Sequence, residues 1–402
     1  MNIKKQLRNL YLYEIISGFQ IVDAVWVLFL LQRGFSIAQA GVAEGFFHVV
    51  SMCCEIPSGM LSDMMGRRKT LILSGIISAA GSFCMIAADC FWMILIAMGL
   101  NAFSYNLVSG TREALTYDSL LEGGQEEWYL KVSSIQENIY LGIFAMTNLL
   151  SVVTVALGYR KAYFISIVQG ILSSFVAMRL SEVNVGRENK KEKLTCADIR
   201  REIILYTGQS LRFLKNNLPV CKRMMLGGIV AAGCYVVNMM MQEHLVSCEL
   251  KAGWIGVPLL FISIFSMVGA ALAGKTEQVQ LKKLMIVGSL SAGLFIAVSS
   301  STVIVVSVFA AGMAHGAEEV LMLRIESENQ KMFSSEIRAT MVSVSSMMYS
   351  IFMVILSPLT GWAVEKLSIE TAFGGLGILV AGAGMILCWK PESGVDKHSR
   401  KL

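Results

Sequence analysis

Long apolar blocks, separated by short polar or charged turns, run along almost the whole chain. They begin near Tyr11, Ala38, Thr70, Phe91, Ser133, Lys161, Arg223, Ala252, Leu284, Ser301, Ala339 and Glu370. A helix needs about 20 apolar residues to cross a bilayer. Inside lipid only helices and closed barrels satisfy every backbone polar group. Barrel strands would show alternating segments of about ten residues, so these continuous blocks predict helices. The expected fold is an all-α membrane protein with about twelve transmembrane helices. Residues 181–222 interrupt the pattern. A charge run at 187–193 is followed by Ile203, Ile204, Leu211, Leu214 and Leu218 at near-helical spacing among Arg and Lys, which predicts an amphipathic helix on the inner membrane face. This linker divides the chain into an N-terminal six-helix bundle at 1–180 and a C-terminal one, with a short tail, at 223–402.

The two bundles read as a duplication. Gly110-Thr-Arg-Glu-Ala-Leu115 lines up with Gly316-Ala-Glu-Glu-Val-Leu321, and the same offset sets Lys131-Val-Ser-Ser against Ile337-Arg-Ala-Thr. Two pseudo-symmetric bundles with a substrate site near the midplane are what alternating access by rocking requires.

Several blocks carry polar residues at i, i+4, i+7 spacing, which selects one helix face. On the second helix the stripe is Glu44, His48, Ser51, Glu55 and Ser58; on the fourth, Asn101, Tyr105, Arg112, Thr116 and Ser119. On the first, Asn9, Tyr13, Gln20 and Asp23 fall within a third of the circumference, with Glu14 almost opposite Asp23. His315, Glu319 and Glu326 align on the tenth with Glu318 to one side, and Asn238 and Gln242 make a shorter stripe on the seventh. Ionisable groups at membrane depth are costly and face a cavity or a partner. The expected substrate or proton pathway is therefore Gln20, Asp23, Glu44, His48, Glu55, Asn101, Tyr105, Arg112, Asn238, Gln242, His315, Glu318 and Glu319. Asp23, near the middle of the first helix, and Arg112 are the expected proton-binding pair, since burial and a nearby guanidinium act oppositely on a carboxylate.

Composition agrees. The chain of 402 residues is 55% hydrophobic and 16% charged, where a soluble protein carries roughly a quarter charged residues. The net charge of +5 follows topology and is not a nucleic-acid footprint. Roughly 28 of the 34 Lys and Arg fall in segments placed inside by the positive-inside rule, so both termini are expected in the cytoplasm. The nine cysteines show no CxxC and no Cys/His pairing at ligand spacing, so neither metal nor cofactor is expected. The first apolar block is too long for the core of a cleaved signal peptide. With no G-x-x-x-x-G-K-[ST] loop, ATP-driven pumping has no support, and no enzyme is expected.

Between the second and third blocks stands Glu55-Ile-Pro-Ser-Gly59-Met-Leu61-Ser-Asp63-Met-Met-Gly66-Arg67-Arg68-Lys69-Thr-Leu71. Its spacing resembles the G-x-L-a-D-r-x-G-r-k-x-x-l loop of the major facilitator superfamily, with Met64 departing from the family's basic residue. The second-half copy, Gly269-Ala-Ala-Leu-Ala-Gly274-Lys275, keeps glycines and a cation but lacks the aspartate. Glu55-Ile-Pro-Ser-Gly and Ser109-Gly-Thr-Arg-Glu-Ala-Leu-Thr-Tyr-Asp118-Ser-Leu resemble a mostly bacterial branch in which many members are described as exporters. Arg338-Ala-Thr and Ser357-Pro-Leu-Thr-Gly361 resemble that branch's eleventh helix. The resemblance implies that Asp63, Arg67 and Asp118 form a charge cluster latching the outward-open state. Gly59, Gly66, Arg68 and Glu113 are grouped with them as conformational-control positions. The G-P-x-x-G pattern common in the fifth helix of drug–proton antiporters is absent, and Gly142-Ile-Phe-Ala-Met stands there.

The expected function is a secondary transporter of the cell inner membrane, monomeric, coupled to protons and exporting small amphiphilic or cationic compounds. The excess of acids over Arg112 on the stripes favours cations. The alternatives are a proton-coupled importer of a metabolite and a non-transporting membrane sensor with the same fold.

Overall fold

A computed structural model of the protein describes residues 2–183, 208, 212, 214–333 and 338–388. Ile203, Ile204 and Leu211 of the expected linker helix lie outside the described residues, as does the C-terminal tail. Apart from short 3-10 turns, the regular structure among the described residues is α-helix, with no strand. The N-terminal half holds α1 (Ile3–Ser17), α2 (Trp26–Gln32), α3 (Ile37–Met65), α4 (Arg67–Ala87), α5 (Phe91–Val108), α6 (Thr111–Glu122), α7 (Tyr129–Leu149), α8 (Ser151–Leu157) and α9 (Tyr159–Ala177). The C-terminal half holds α10 (Leu218–Ser247), α11 (Gly256–Ala273), α12 (Leu281–Val298), α13 (Ile304–Gln330), α14 (Arg338–Lys366) and α15 (Ile369–Cys388). Every apolar block of the sequence carries a helix. Nine of the described helices are long and apolar enough to cross a membrane, and ten if the bent pair α7–α8, meeting at 51°, is one span.

The boundaries follow local chemistry. Ser36 and Gln39 open α3 with a capping box: Ser36 Oγ accepts from Gln39 N at 3.2 Å, and Gln39 Oε1 accepts from Ser36 N at 2.9 Å. Gly66, at φ +99°, turns the chain from α3 into α4, a conformation that glycine adopts without steric cost.

The chain forms two compact units. The first is Met1–Ile203 with Met240–Leu260 and Ser357–Trp362; the second is Ile204–Met239, Phe261–Leu356 and Ala363–Leu402. In the first, α4 packs on α5 and α9, and α3 packs on α5. Ser357 of α14 belongs to this unit, its Oγ donating to the Gly41 carbonyl at 2.6 Å. In the second, α12 packs on α13 and α15.

The same device holds the third and sixth blocks together in each half. A side chain added at Gly75 would meet the Gly170 carbonyl, and one at Gly170 would meet that of Gly75; Gly293 and Gly377 stand in the same relation. Gly293 and Gly377 are each followed four residues later by alanine, Ala297 and Ala381. Small residues at this spacing let backbones approach where no hydrophobic effect drives helices together. Gly377→Leu is therefore expected to destabilise the protein by about 1–3 kcal/mol, read as a lower melting temperature in detergent. Substitution at Gly374, with open space beside it, is the neutral control.

Candidate functional site

The first transmembrane block is not one helix. α1 ends at Ser17 and α2 starts at Trp26, with turns between. Gly18 and the β-branched Ile21 and Val22 are poor helix formers, yet a break inside a membrane survives only if its freed backbone groups find partners. Two glutamines supply them. Gln169 of α9 donates to the carbonyls of Ile16 and Ser17 at 2.8 and 3.0 Å. Gln242 of α10 accepts from Val27 N at 3.2 Å.

This break corrects the reading of a continuous first helix. Gln20 and Asp23 lie in the irregular segment, so they share no helical face with Asn9 and Tyr13. Asn9 instead donates to the Arg179 carbonyl at 2.8 Å, and Tyr13 is buried. Asp23 is exposed, with Glu44 within electrostatic reach.

The expected pairing of Asp23 with Arg112 is also replaced. Arg112 Nη1 contacts Glu14 Oε1 at 2.5 Å, and its Nη2 is 3.9 Å from the exposed Glu113. Glu14, set aside because helical extrapolation put it opposite Asp23, is 1% exposed. Its other oxygen, Oε2, has no hydrogen-bond partner among the described residues. Arg112 stands in the first turn of α6, just after Gly110, which at φ +72° separates α5 from α6. Glu137 of α7 lies within electrostatic reach of Glu14.

The other stripe residues divide. Glu44 and His48 are buried and pair with each other at 3.4 Å. Ser51 Oγ donates to Asn106 Oδ1 at 2.8 Å. Asn101 packs so closely on α4 that a side chain at Gly81 would strike it. Thr116 and Ser119 are buried, Thr116 bonding Gln136 at 3.3 Å and Ser119 accepting from Gln6 at 3.1 Å. Tyr105 is 61% exposed, with Glu55 and Arg112 within electrostatic reach. Glu55 itself is half-buried.

At the inner end, by the expected topology, Arg67 Nη1 approaches Asp118 Oδ2 at 2.7 Å, off the line of a straight hydrogen bond, so the contact is an ion pair. Asp63 is exposed and makes no ion pair among the described residues. Gly59 has open space beside it. Glu182, unremarked in the sequence, caps α4: its carboxylate accepts from Arg67 N at 2.8 Å and Arg68 N at 3.1 Å, a site the helix dipole favours for an anion. A side chain at Gly66 would collide with this carboxylate at 2.7 Å. Arg68 Nη2 donates to the Met178 carbonyl at 2.6 Å.

In the second unit His315 Nδ1 is 3.2 Å from Glu318, Cys234 of α10 lies within electrostatic reach of Glu318 and Glu319, and Glu319 and Asn238 are half-buried. Arg324 stands where the duplication offset places Asp118. It is buried, 3.7 Å from Glu328, and its Nη2 is 3.5 Å from the carbonyl of Glu277 in the turn after α11. The helix position that is acidic in the first half is thus basic in the second.

The sequence profile of the Major Facilitator Superfamily matches residues 15–329. The inner membrane transport protein YajR of Escherichia coli (strain K12) is 29% identical over 96 residues, which are 24% of this chain and 21% of that one. The chain thus spans about a fifth of that relative's length. Among solved structures, the nucleoside transporter NupG superposes with a TM-score of 0.74 at 14% identity, over 97% of this chain and 98% of that one. A POT family transporter in complex with 5-aminolevulinic acid does so with a TM-score of 0.72 at 12% identity, over 96% and 98%. At these identities the likeness establishes the fold.

Proposed function

The chain belongs to the major facilitator superfamily, and we propose that it is a secondary transporter that works by alternating access, exporting small amphiphilic or cationic compounds in exchange for protons. The observation that carries this reading is the Glu14–Arg112 ion pair. It joins two discontinuous spans, and discontinuous helices are where transporters of this kind build substrate and ion sites. A buried pair with one orphan carboxylate oxygen has two competing arrangements. With Glu14 ionised, Arg112 is held. With Glu14 protonated, the attraction falls and Arg112 is released. A proton can thereby bias two conformations by its differential affinity for them. Asp23, exposed in the break of the first span, is then a substrate-facing acid.

Arg67 and Asp118 act as conformational control, re-forming once per cycle. The positive-inside bias supports a cell inner membrane location with both termini cytoplasmic. The chain acts as a monomer and performs no covalent chemistry.

Purified full-length protein in liposomes, with an imposed pH gradient and internal pH recorded, tests this. Efflux of a cationic compound is expected with proton movement in the opposite direction, both abolished by a protonophore. Compound flux without proton movement would remove the antiport reading and leave a transporter.

A further inference from the structure

On α7, Tyr140 lies three residues after Glu137 and four after Gln136, with Phe144 four residues further on, so each stacks along the helix with Tyr140. Gln136 is buried and anchors α7 to α6 through Thr116. Tyr140 lies against the break in the first span, its Cδ2 3.9 Å from where a side chain on Gly18 would begin. Phe144 stacks on it with ring centroids 6.3 Å apart and planes inclined by 23°. Tyr140 nevertheless stays 41% exposed. Tyr105, 61% exposed, makes a second aromatic pair with Phe47 at 6.1 Å.

Exposed aromatic faces on a membrane protein ordinarily meet lipid or headgroups. These two do not. Asp23, Glu137 and Arg112 stand within electrostatic reach of Tyr140, and Glu55 and Glu113 within reach of Tyr105. Their open faces are therefore bordered by ionisable groups rather than by apolar side chains alone. Arg112, the cation within electrostatic reach of both rings, is already committed to Glu14, whose Oε2 remains buried and unpartnered among the described residues. The surroundings are net acidic, which repels an anion. A weakly hydrated cation gains twice, from the carboxylates and from the ring faces.

We infer that Tyr140 and Tyr105 are the aromatic walls of a binding site for a planar or quaternary organic cation, with Glu137 and Asp23 as its counter-charges. This rests on the transporter reading above and deepens it by assigning ligand contacts to α7, whose polar face the helix-by-helix stripes did not include.

The test is equilibrium binding of radiolabelled tetraphenylphosphonium to the detergent-purified full chain at fixed pH, which requires no transport. Saturable binding is expected. Tyr140→Leu should raise its Kd about tenfold, and Tyr140→Phe, which keeps the ring, should recover most of that affinity. Glu137→Gln should weaken it several-fold, and neutral triphenylphosphine oxide should compete poorly. Matching melting temperatures for the Leu and Phe variants separate lost contact from lost fold. No saturable binding, an unchanged Kd in Tyr140→Leu, or equal competition by the neutral compound would overturn the site. A chain that exports compounds in liposomes but fails here refutes the site alone. Saturable, Tyr140-dependent binding without flux refutes the transporter reading alone and supports the site.

Discussion

Arg112→Ala is expected to lower the transport rate by about two orders of magnitude, the equivalent of roughly 3 kcal/mol. The reason lies in Glu14. Its carboxylate is almost wholly inaccessible, with side-chain exposure of 2%, whereas Arg112 keeps 25%. Removing the cation leaves a buried charge with no partner, which typically costs about 3–5 kcal/mol unless the group takes up a proton. Protonation is the cheaper course, so the variant should fold yet stay locked in the state a proton normally selects.

Arg112→Lys should recover only part of the rate, because an ammonium is a shorter and more strongly hydrated partner than a guanidinium. Glu14→Gln should fold and move substrate down its gradient, while flux no longer responds to an imposed pH gradient. Initial rates in proteoliposomes with and without that gradient check all three. Intact coupling in Glu14→Gln would exclude Glu14 as the proton site.

The second large effect is at the charged turn between α3 and α4 of the first unit. Arg67→Asp removes the cation 2.7 Å from Asp118 and sets a second negative charge on the same turn, so an attraction becomes a repulsion. Transport is expected to fall at least tenfold, about 1.4 kcal/mol. The exchange Arg67→Asp with Asp118→Arg should restore the rate to within a few-fold. The turn itself should survive in every variant, because Glu182 holds it through the backbone N–H groups of Arg67 and Arg68. A latch thus predicts strong non-additivity in rate with little change in melting temperature. Additive losses across the double-mutant cycle would make the pair a structural tie.

How much of this was legible depended on how local the signal was. Arg67 and Asp118 were readable because a charged turn between apolar blocks has few places to go, and the resemblance to a known loop named the partner. Glu14 was not. Its rejection assumed an unbroken helix from Asn9 to Asp23, and a 100°-per-residue extrapolation fails once the chain turns at Gly18. Gln242 looked like a pathway residue on its helix and is a backbone partner for Val27 from far along the chain. Glu137 and Tyr140 carry only a short signal, an i, i+3 polar spacing on α7, too brief to mark a face as the longer stripes do. Arg324 is where the duplication offset puts Asp118, but its opposite sign hid the correspondence.

From residues alone came the membrane class and the helical blocks, together with the expectation of two related halves and of a charged turn on the inner face. Each rests on free energies set by the residue itself: transfer of apolar surface out of water, the cost of unpaired backbone groups in lipid, and the bias of Lys and Arg toward one side. Tertiary structure alone decided which buried acid Arg112 meets, where the first and fourth blocks break, and which aromatic faces stay open. Those outcomes depend on side chains such as Gln169 and Gln242, distant in sequence, arriving to satisfy a broken backbone, and no local periodicity encodes an encounter between residues more than a hundred positions apart.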